Sequence, residues 1–381
     1  MSAPHPLALV LTGGGARAAY QVGVLRHLAS RHPALVPEIL TGVSAGGIMA
    51  AHLAARRGGF AESVSSLAES WRALRIDDVF RVDTGDLATR VMRWGVRLLS
   101  GGAPAPRARS LVDTAPLRET LQRTLGAAPD GEITGIARNV EAGVVRAVAL
   151  TASSYTTGRS VTWVQAHPGA GIEPWERPQR LSRPCALNVA HVMASSALPF
   201  LFPAISVDDE WFGDGGIRLV APLSPAIHLG AQKILAVSTR YPRWDQPGPR
   251  RLPPPYPPPA QVAGVLLNAI FLDLLDTDAL RLQQFNGFID RLPEGRRSGM
   301  RHVNLLVLRP SADLGRLANE FEAGLPRPFR FLVRGLGSRE TRSNDMLSLV
   351  MFQHDYISRL MDLGEADAAA RAEEIAEFIS D

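Results

Sequence analysis

The stretch from Glu38 to Ala51 reads EILTGVSAGGIMAA and is the most informative part of the sequence. It begins as an apolar run typical of a strand, passes through a Gly-x-Ser-x-Gly turn and continues in small residues compatible with a helix. The glycines Gly42 and Gly46 remove side chains that would collide across so tight a turn, which leaves the hydroxyl of Ser44 exposed. The positive end of the following helix lies beside that hydroxyl. Ser44 is therefore a candidate nucleophile.

The same stretch allows a structural interpretation. Small residues also open helices that pack closely against a sheet, so the turn alone does not establish a catalytic serine. Residues 39–55 contain no Asp, Glu, Lys or Arg. This run is too short and too rich in glycine to span a membrane, and we expect a buried central helix instead.

Composition places the chain among ordinary soluble globular proteins. Its 381 residues are 46% hydrophobic and 20% charged, and that length allows one to three domains. The single cysteine, Cys185, excludes an intrachain disulfide. The first residues show no basic segment of a secretory signal, so we expect a cytoplasmic protein or one bound peripherally to a membrane.

Charge is distributed unevenly along the chain. The formal net charge is +4, but residues 361–381 carry seven acids and one base, which leaves the rest at about +10. A basic body favours anionic surfaces. Residues 90–99 form a basic amphipathic segment that could contact an anionic membrane, although an ordinary surface helix is the favoured interpretation. No nucleic-acid-binding motif is present, so nucleic acid is not an expected partner, and nothing indicates the oligomeric state.

A glycine-rich loop follows the first predicted strand, residues 7–11. Gly13, Gly14 and Gly15 precede a helix, and such a loop presents free backbone N–H groups to an anion. One candidate anion is a dinucleotide phosphate, but that site needs an acidic residue at the end of the second strand, where this chain has Ser44. The other candidate is the oxyanion formed when Ser44 attacks a carbonyl. The two strands are joined by one helix, so we expect them parallel and close, with both loops at one sheet edge.

A second candidate catalytic group is Asp214, which follows an aromatic strand and is surrounded by Gly213, Gly215 and Gly216. Glycines allow another loop to approach the carboxylate closely and permit positive φ angles. The alternative is a type I′ Asp-Gly hairpin turn.

These segments, taken together, resemble the patatin-like phospholipase family, serine lipid acyl hydrolases with a Ser-Asp dyad. The resemblance covers roughly residues 7–239. Four segments carry it in the family's order: Gly13 to Ala18, Gly42 to Gly46, Ala194 to Pro203, and Asp214 to Gly216. The family usually has glycine where this chain has Ala18, at the end of the first segment.

The resemblance implies a fold and a site. The fold would be α/β, a three-layer sandwich with a mostly parallel central sheet and the nucleophile elbow between a strand and the central helix. Ser44 would be the nucleophile, Asp214 its general base, and Gly13, Gly14 and Gly15 the oxyanion hole, with no metal or cofactor. Arg17 would order the glycine loop or contact an anionic head group, or else form a structural ion pair. The substrate would be a fatty-acyl lipid.

Three regions are expected along the chain. Residues 5–240 would form the catalytic core, and residues 241–261 a Pro-rich linker or flap. Residues 262–381 would be mainly helical, with one strand at 303–308 packing on the core and terminal helices at 345–361 and 366–379.

Two other functions stay open at this point. A Ser-His-Asp hydrolase of the α/β type would use Ser44, Asp214 and either His228 or His302. A catalytically silent lipid-binding or scaffolding protein would keep the fold without the activity.

Overall fold

The computed structural model of the protein describes residues 6–81, 110–242, 256, 261, 262, 264–266, 274–325, 330 and 344–380. The basic segment at 90–99 and almost all of the predicted linker at 241–261 lie outside these residues.

Ten strands within the described residues form one sheet. They are β1 Leu7–Leu11, β2 Ile39–Val43, β3 Ala147–Ser154, β4 Ser160–Ala166, β5 Glu176–Arg177, β6 Arg180–Pro184, β7 Ile205–Val207, β8 Glu210–Asp214, β9 Lys233–Val237 and β10 Asn304–Leu308.

Helices pack on both faces of this sheet. Those with described bounds are α1 Ala19–Arg31, α2 Ala45–Ala55, α3 Phe60–Ala73, α4 Ile76–Val79, α5 Ala115–Leu125, α6 Thr134–Glu141, α7 Val189–Ser195, α8 Ser224–His228, α9 Leu274–Arg291, α10 Leu314–Glu320, α11 Asp345–Val350, α12 His354–Ala370 and α13 Ala372–Ser380.

The central part of the sheet is parallel, in the order β10, β9, β1, β2, β3. Strand β1 is a direct neighbour of β2, with Leu11 opposite Gly42, as the sequence predicts. Parallel neighbours end at the same edge of a sheet, so the loops after β1 and β2 meet at the carboxyl edge. Strand β8 pairs antiparallel with β3 and brings Asp214 opposite Ala152 at that edge.

Alternate residues of the strands point to opposite faces and enter two separate cores. Leu9 and Leu11 join the larger core, which α1, α2, α3, α5, α7 and α12 cover. Ala8 and Val10 join the smaller core, under α8 and α9. The chain therefore has the predicted mixed α/β fold, a mostly parallel sheet between two helical layers.

Helix α2 explains why the region after Ser44 lacks charged side chains. All but one of its eleven residues are buried, so its whole circumference contacts protein. None of the helices in the described ranges combines the length and the apolar character that crossing a membrane requires.

The C-terminal region contributes to the same sheet and core. Strand β10 pairs with β9, and α12 packs tightly on α1, where a Cβ atom on Gly23 would collide with the carbonyl oxygen of Met361. The division into a core, a linker and a helical C-terminal portion stays a prediction.

The predicted boundaries of the terminal helices are wrong. The chain leaves the helical conformation at Met351 and again at Arg371, so three helices replace the predicted two. The first break allows Met351 and Phe352 to be buried in the core. Packing of distant elements decides this break, and the local pattern does not reveal it.

Candidate active site

Ser44 lies at the sharp turn between β2 and α2. Its φ of 56° and ψ of −131° are rare for a residue with a side chain and cost of order 1–3 kcal/mol. The neighbouring glycines make the turn possible. A Cβ atom on Gly42 would collide with the carbonyl oxygen of Gly46, and one on Gly46 with that of Leu11. The predicted nucleophile elbow is therefore present in its geometry.

Two hydrogen bonds through Ser195 fix this turn to strand β3. The Ser44 N–H donates to Ser195 Oγ at 3.0 Å, and Ser195 Oγ donates to the carbonyl oxygen of Thr151 at 2.7 Å. Ser195 is fully buried. The sequence places Ser195 in one of the family segments, but only the folded contacts assign it this supporting position.

The glycine loop lies directly against the serine. A Cβ atom on Gly13 would be 3.0 Å from the Cβ of Ser44 and 3.7 Å from its Oγ. The Gly13 carbonyl oxygen accepts a 2.8 Å hydrogen bond from Thr239 Oγ1, which fixes the loop to the end of β9. The N–H groups of Gly13 and Gly14 have no acceptor among the described residues. Two backbone donors beside Ser44 are thus available to an anion.

Gly14 and Gly15 both have backbone angles that favour glycine, and Gly15 is also closely packed. Gly14 has a φ of 149° and Gly15 a φ of 52°, both in the region that favours glycine. A Cβ atom on Gly15 would also collide with the carbonyl oxygen of Leu349, at the end of α11. The loop is therefore packed between the elbow and the C-terminal helices.

Arg17 is a buried link between the loop and α11. Its guanidinium donates to Asp345 Oδ1 at 2.6 Å and to Ser348 Oγ at 2.6 Å. The side chains of Arg17 and Asp345 are only 4% and 5% exposed. This is the structural ion pair among the three roles considered, and it leaves the guanidinium with its charge already matched inside the protein.

Ala18 replaces the glycine that is usual in the family. It is fully buried, and its φ of −63° and ψ of −14° are right-handed helical values. Alanine adopts this conformation without strain, so the backbone here does not require glycine.

Asp214 is completely buried at the end of β8. Its Oδ1 accepts a hydrogen bond from the Gly216 N–H at 2.9 Å, and its Oδ2 has no hydrogen-bond partner among the described residues. The alternative of a type I′ turn is wrong, because a turn of 3₁₀ helix follows and Gly215 and Gly216 do not have positive φ angles. Gly215 is needed for close packing, since a Cβ atom there would collide with the carbonyl oxygen of Thr151.

Burial raises the pKa of Asp214 to about 7, and two groups act in the opposite direction. The Ser44 hydroxyl and the Gly216 N–H both lower it, by stabilising the charged form. The hydroxyl is near enough for this effect, yet it does not reach the geometry of a formed hydrogen bond to Oδ2. We take the two side chains as adjacent and not yet bonded, which is common before substrate binds. The carboxyl is thus poised to exchange a proton near neutral pH.

The two histidines of the triad alternative lie elsewhere. His302 immediately precedes β10, at the amino edge of the sheet, and its Nδ1 lies 2.9 Å from a carboxylate oxygen of Asp290. His228 precedes β9, at the same amino edge, and stacks on Trp175. Ser44 follows the carboxyl end of β2, so neither imidazole belongs to its surroundings. Among the described residues, no group of three or more His, Cys, Asp or Glu side chains is arranged to hold a metal ion.

An apolar cavity opens beside Ser44. Its walls come from α2, α3 and α5 and include Ile48, Leu67, Trp71, Leu117 and Leu121. Leu198, Phe202, Leu349 and Phe352 line it as well. The convergence of these helices on one cavity depends on tertiary packing. The arrangement places an apolar slot next to a serine and two free backbone donors.

Three solved structures are similar to nearly the whole chain. VipD from Legionella pneumophila is 14% identical with a TM-score of 0.37, covering 99% of this chain and 76% of VipD. Human GIVD cytosolic phospholipase A2, solved with methyl gamma-linolenyl fluorophosphonate, is 13% identical with a TM-score of 0.47 and coverages of 98% and 59%. The type III effector protein ExoU is 14% identical with a TM-score of 0.38 and coverages of 97% and 53%. At these values no property of the three proteins extends to this chain by likeness alone.

Comparison with curated proteins finds no match. The family model described as patatin-like phospholipase matches residues 9–227, more than half of the 381 residues. The matched region includes the glycine loop, Ser44 and Asp214. The chain therefore belongs to the patatin-like phospholipase family.

Proposed function

We propose that this protein hydrolyses carboxylic ester bonds of fatty-acyl lipids, with Ser44 as the nucleophile and Asp214 as the general base. The observation that carries the proposal is the position of the fully buried Asp214 carboxyl, with one oxygen unpaired among the described residues, next to the strained Ser44. An apolar cavity and two free backbone donors adjoin the same hydroxyl. Membership of a phospholipase family supports a lipid as the substrate.

In the first step the Asp214 carboxylate accepts the hydroxyl proton as Ser44 Oγ attacks the ester carbonyl. The resulting tetrahedral intermediate collapses, the carbon–oxygen bond to the alcohol breaks, and Asp214 gives its proton to the leaving alkoxide. The products of this step are a free alcohol and an acyl group esterified to Ser44. Asp214 is again a carboxylate.

In the second step water attacks the acyl group on Ser44, and Asp214 accepts a proton from that water. Collapse of the second intermediate breaks the bond to Ser44 Oγ, which recovers its proton from Asp214. A fatty acid is released and the starting state returns. A base with a pKa of about 7 suits both transfers, since it can accept and donate a proton near neutral pH.

The negative oxygen of both intermediates would bind to the glycine loop. Among the described residues the N–H groups of Gly13 and Gly14 have no acceptor; Gly13 adjoins Ser44, and Gly15 lines the cavity beside it. One such donor typically contributes about 3–4 kcal/mol to the stability of the transition state. The Ser44 N–H is not one of the donors to the negative oxygen, because it already donates a hydrogen bond to Ser195 Oγ.

Peripheral membrane contact is part of the proposal, because fatty-acyl lipids are found in membranes. The basic segment at 90–99 is the sequence feature that supports it.

The test is hydrolysis of p-nitrophenyl octanoate and of phospholipid vesicles by the purified protein. Ser44→Ala and Asp214→Asn are expected to lower kcat at least 1,000-fold, since each removes a group that takes part in bond making. A His228→Ala, His302→Ala double variant is the matched control and should retain activity. Loss of activity in a correctly folded histidine variant would contradict the Ser44–Asp214 dyad. Wild-type protein inactive on both substrates would support the silent lipid-binding alternative.

A further inference from the structure

The cavity beside Ser44 is lined by a few polar side chains as well as by apolar ones. Ser44, Ile48 and His52 follow one another at intervals of four residues on one side of α2, and all three line the cavity. The cavity thus extends along this helix, away from the serine. Eight residues separate Ser44 from His52, which corresponds to a rise of about 12 Å along the helix axis.

A hydrogen-bonded polar cluster lies at that far end. Arg56, one turn beyond His52, donates through Nε to His52 Nε2 at 3.3 Å and through a terminal nitrogen to the carbonyl oxygen of Thr124 at 3.0 Å. Thr120 and Thr124 of α5 line the cavity beside His52. The cluster therefore joins α2 to α5 across the end of the cavity.

The His52 imidazole is neutral in this position. Burial, followed by the nearby charge of Arg56, lowers the pKa of His52 to about 3. The residue is only 2% exposed. It lines the cavity without placing a charge of its own among the apolar walls, and Arg56 donates to its Nε2.

A hydrocarbon chain cannot replace the hydrogen bonds of this cluster. Extending a chain past His52 would separate the partly buried Arg56 from its two acceptors and leave the buried His52 Nε2 without a donor. An extended hydrocarbon chain advances roughly 1.3 Å per carbon, given carbon–carbon bonds of about 1.5 Å. About nine carbons therefore fill the distance between Ser44 and His52.

We propose that the cluster of His52, Arg56 and Thr124 limits the acyl chain of the substrate, so that the protein acts on esters of medium-chain acids of about eight to ten carbons. This inference rests on the proposed function. His52 is the residue that determines specificity, and it takes no part in bond making. Acyl groups of fourteen or more carbons must displace the cluster or leave the cavity, and both lower kcat/KM.

The test is the dependence of kcat/KM on chain length, measured with p-nitrophenyl esters of 4, 8, 10, 12 and 16 carbons. The wild type is expected to prefer 8 or 10 carbons by at least tenfold over 16. His52→Ala should move the optimum two to four carbons higher, because the chain can occupy the vacated space. Ile48→Trp should move it to 4 carbons, because Ile48 lies one turn from Ser44 and a larger ring there fills the cavity. Leu53→Ala, on the same helix but outside the cavity lining, is the control and should keep the wild-type optimum.

A folded His52→Ala protein with an unchanged optimum would overturn the inference, and so would a wild type that accepts 4 to 16 carbons equally. Binding of the free carboxylates to Ser44→Ala, measured by calorimetry, gives a readout that does not depend on turnover. Tighter binding of decanoate than of hexadecanoate is expected, and the additional substitution His52→Ala should reduce this difference. Absence of all hydrolysis with this binding order intact would reject the proposed function alone.

Discussion

Ser44 and Ser195 are 151 residues apart in sequence and joined by a 3.0 Å hydrogen bond from the Ser44 N–H to Ser195 Oγ. Ser195 in turn donates to Thr151 of β3, so the strained elbow is fixed to the neighbouring strand. The bond satisfies the N–H of a residue whose backbone conformation is itself unfavourable. The serine turn therefore depends on α7 and β3 as well as on its own glycines.

Ser195→Ala is expected to lower kcat by roughly 10- to 100-fold with KM little changed. The substitution leaves the buried Ser44 N–H without an acceptor, at a cost of about 1–3 kcal/mol. The backbone of Ser44 is then no longer fixed by this hydrogen bond. Steady-state kinetics on p-nitrophenyl octanoate measure the effect. Ser182→Ala is the matched control, since the buried Ser182 Oγ likewise accepts a backbone N–H, that of Trp175 at 2.8 Å, but lies on β6 outside the lining of the cavity. Equal effects of the two substitutions would count against a positioning role for Ser195.

The value of kcat/KM should rise with pH and reach half its maximum near pH 7. Below this value the Asp214 carboxyl holds a proton and cannot accept another, because burial raises its pKa to about 7. An aspartate with an ordinary pKa of about 4 would give activity that is level above pH 5. The His228→Ala, His302→Ala variant should show the same inflection. A level profile from pH 5 to 9, or loss of the inflection in that variant, would refute this assignment.

Arg17→Met is expected to lower the free energy of unfolding by about 3–5 kcal/mol, because it removes the buried guanidinium that is paired with the Asp345 carboxylate. Urea denaturation of Arg17→Met, Asp345→Leu and the double variant measures the coupling. The double variant should be more stable than the sum of the two single effects predicts. Arg159→Met is the control, since its partner Glu176 is 72% exposed, and a change below about 1 kcal/mol is expected. Simple additivity in the buried pair would contradict the prediction.

Ala18→Gly restores the residue usual in the family and should not improve catalysis. Because Ala18 has helical backbone angles, we expect kcat to stay within about twofold and the free energy of unfolding to fall by roughly 0.5–1 kcal/mol. Activity assays and urea denaturation of the same preparation measure both. A large gain in kcat would mean that the extra methyl distorts the glycine loop.

The parts of this site that follow from local sequence were predictable. An apolar strand, a turn with two glycines and a run of small residues predict the elbow at Ser44, and one connecting helix predicts that β1 and β2 are parallel neighbours. These features depend on steric limits within a few residues and on the handedness of the connection.

Other features depend on contacts between distant parts of the chain. The Arg17 to Asp345 pair spans 328 residues, and the break at Met351 exists because two apolar side chains fit the core there. In the sequence His52 is one polar residue in an otherwise apolar helix, and nothing in the local pattern indicates a role for it. Only the packing of α3 and α5 against α2 turns its side of the helix into the end of a cavity.

The reactivity of Ser44 is tested by the mass of the intact protein after reaction with an alkyl fluorophosphonate, which phosphonylates activated serine hydroxyls. One phosphonyl group per wild-type chain is expected, located on Ser44 by peptide mapping. No addition is expected to Ser44→Ala, much slower addition to Asp214→Asn and an unchanged rate in the His228→Ala, His302→Ala variant. An unlabelled wild type, or equal labelling of Ser44→Ala, would contradict the claim that Ser44 is a nucleophile activated by Asp214.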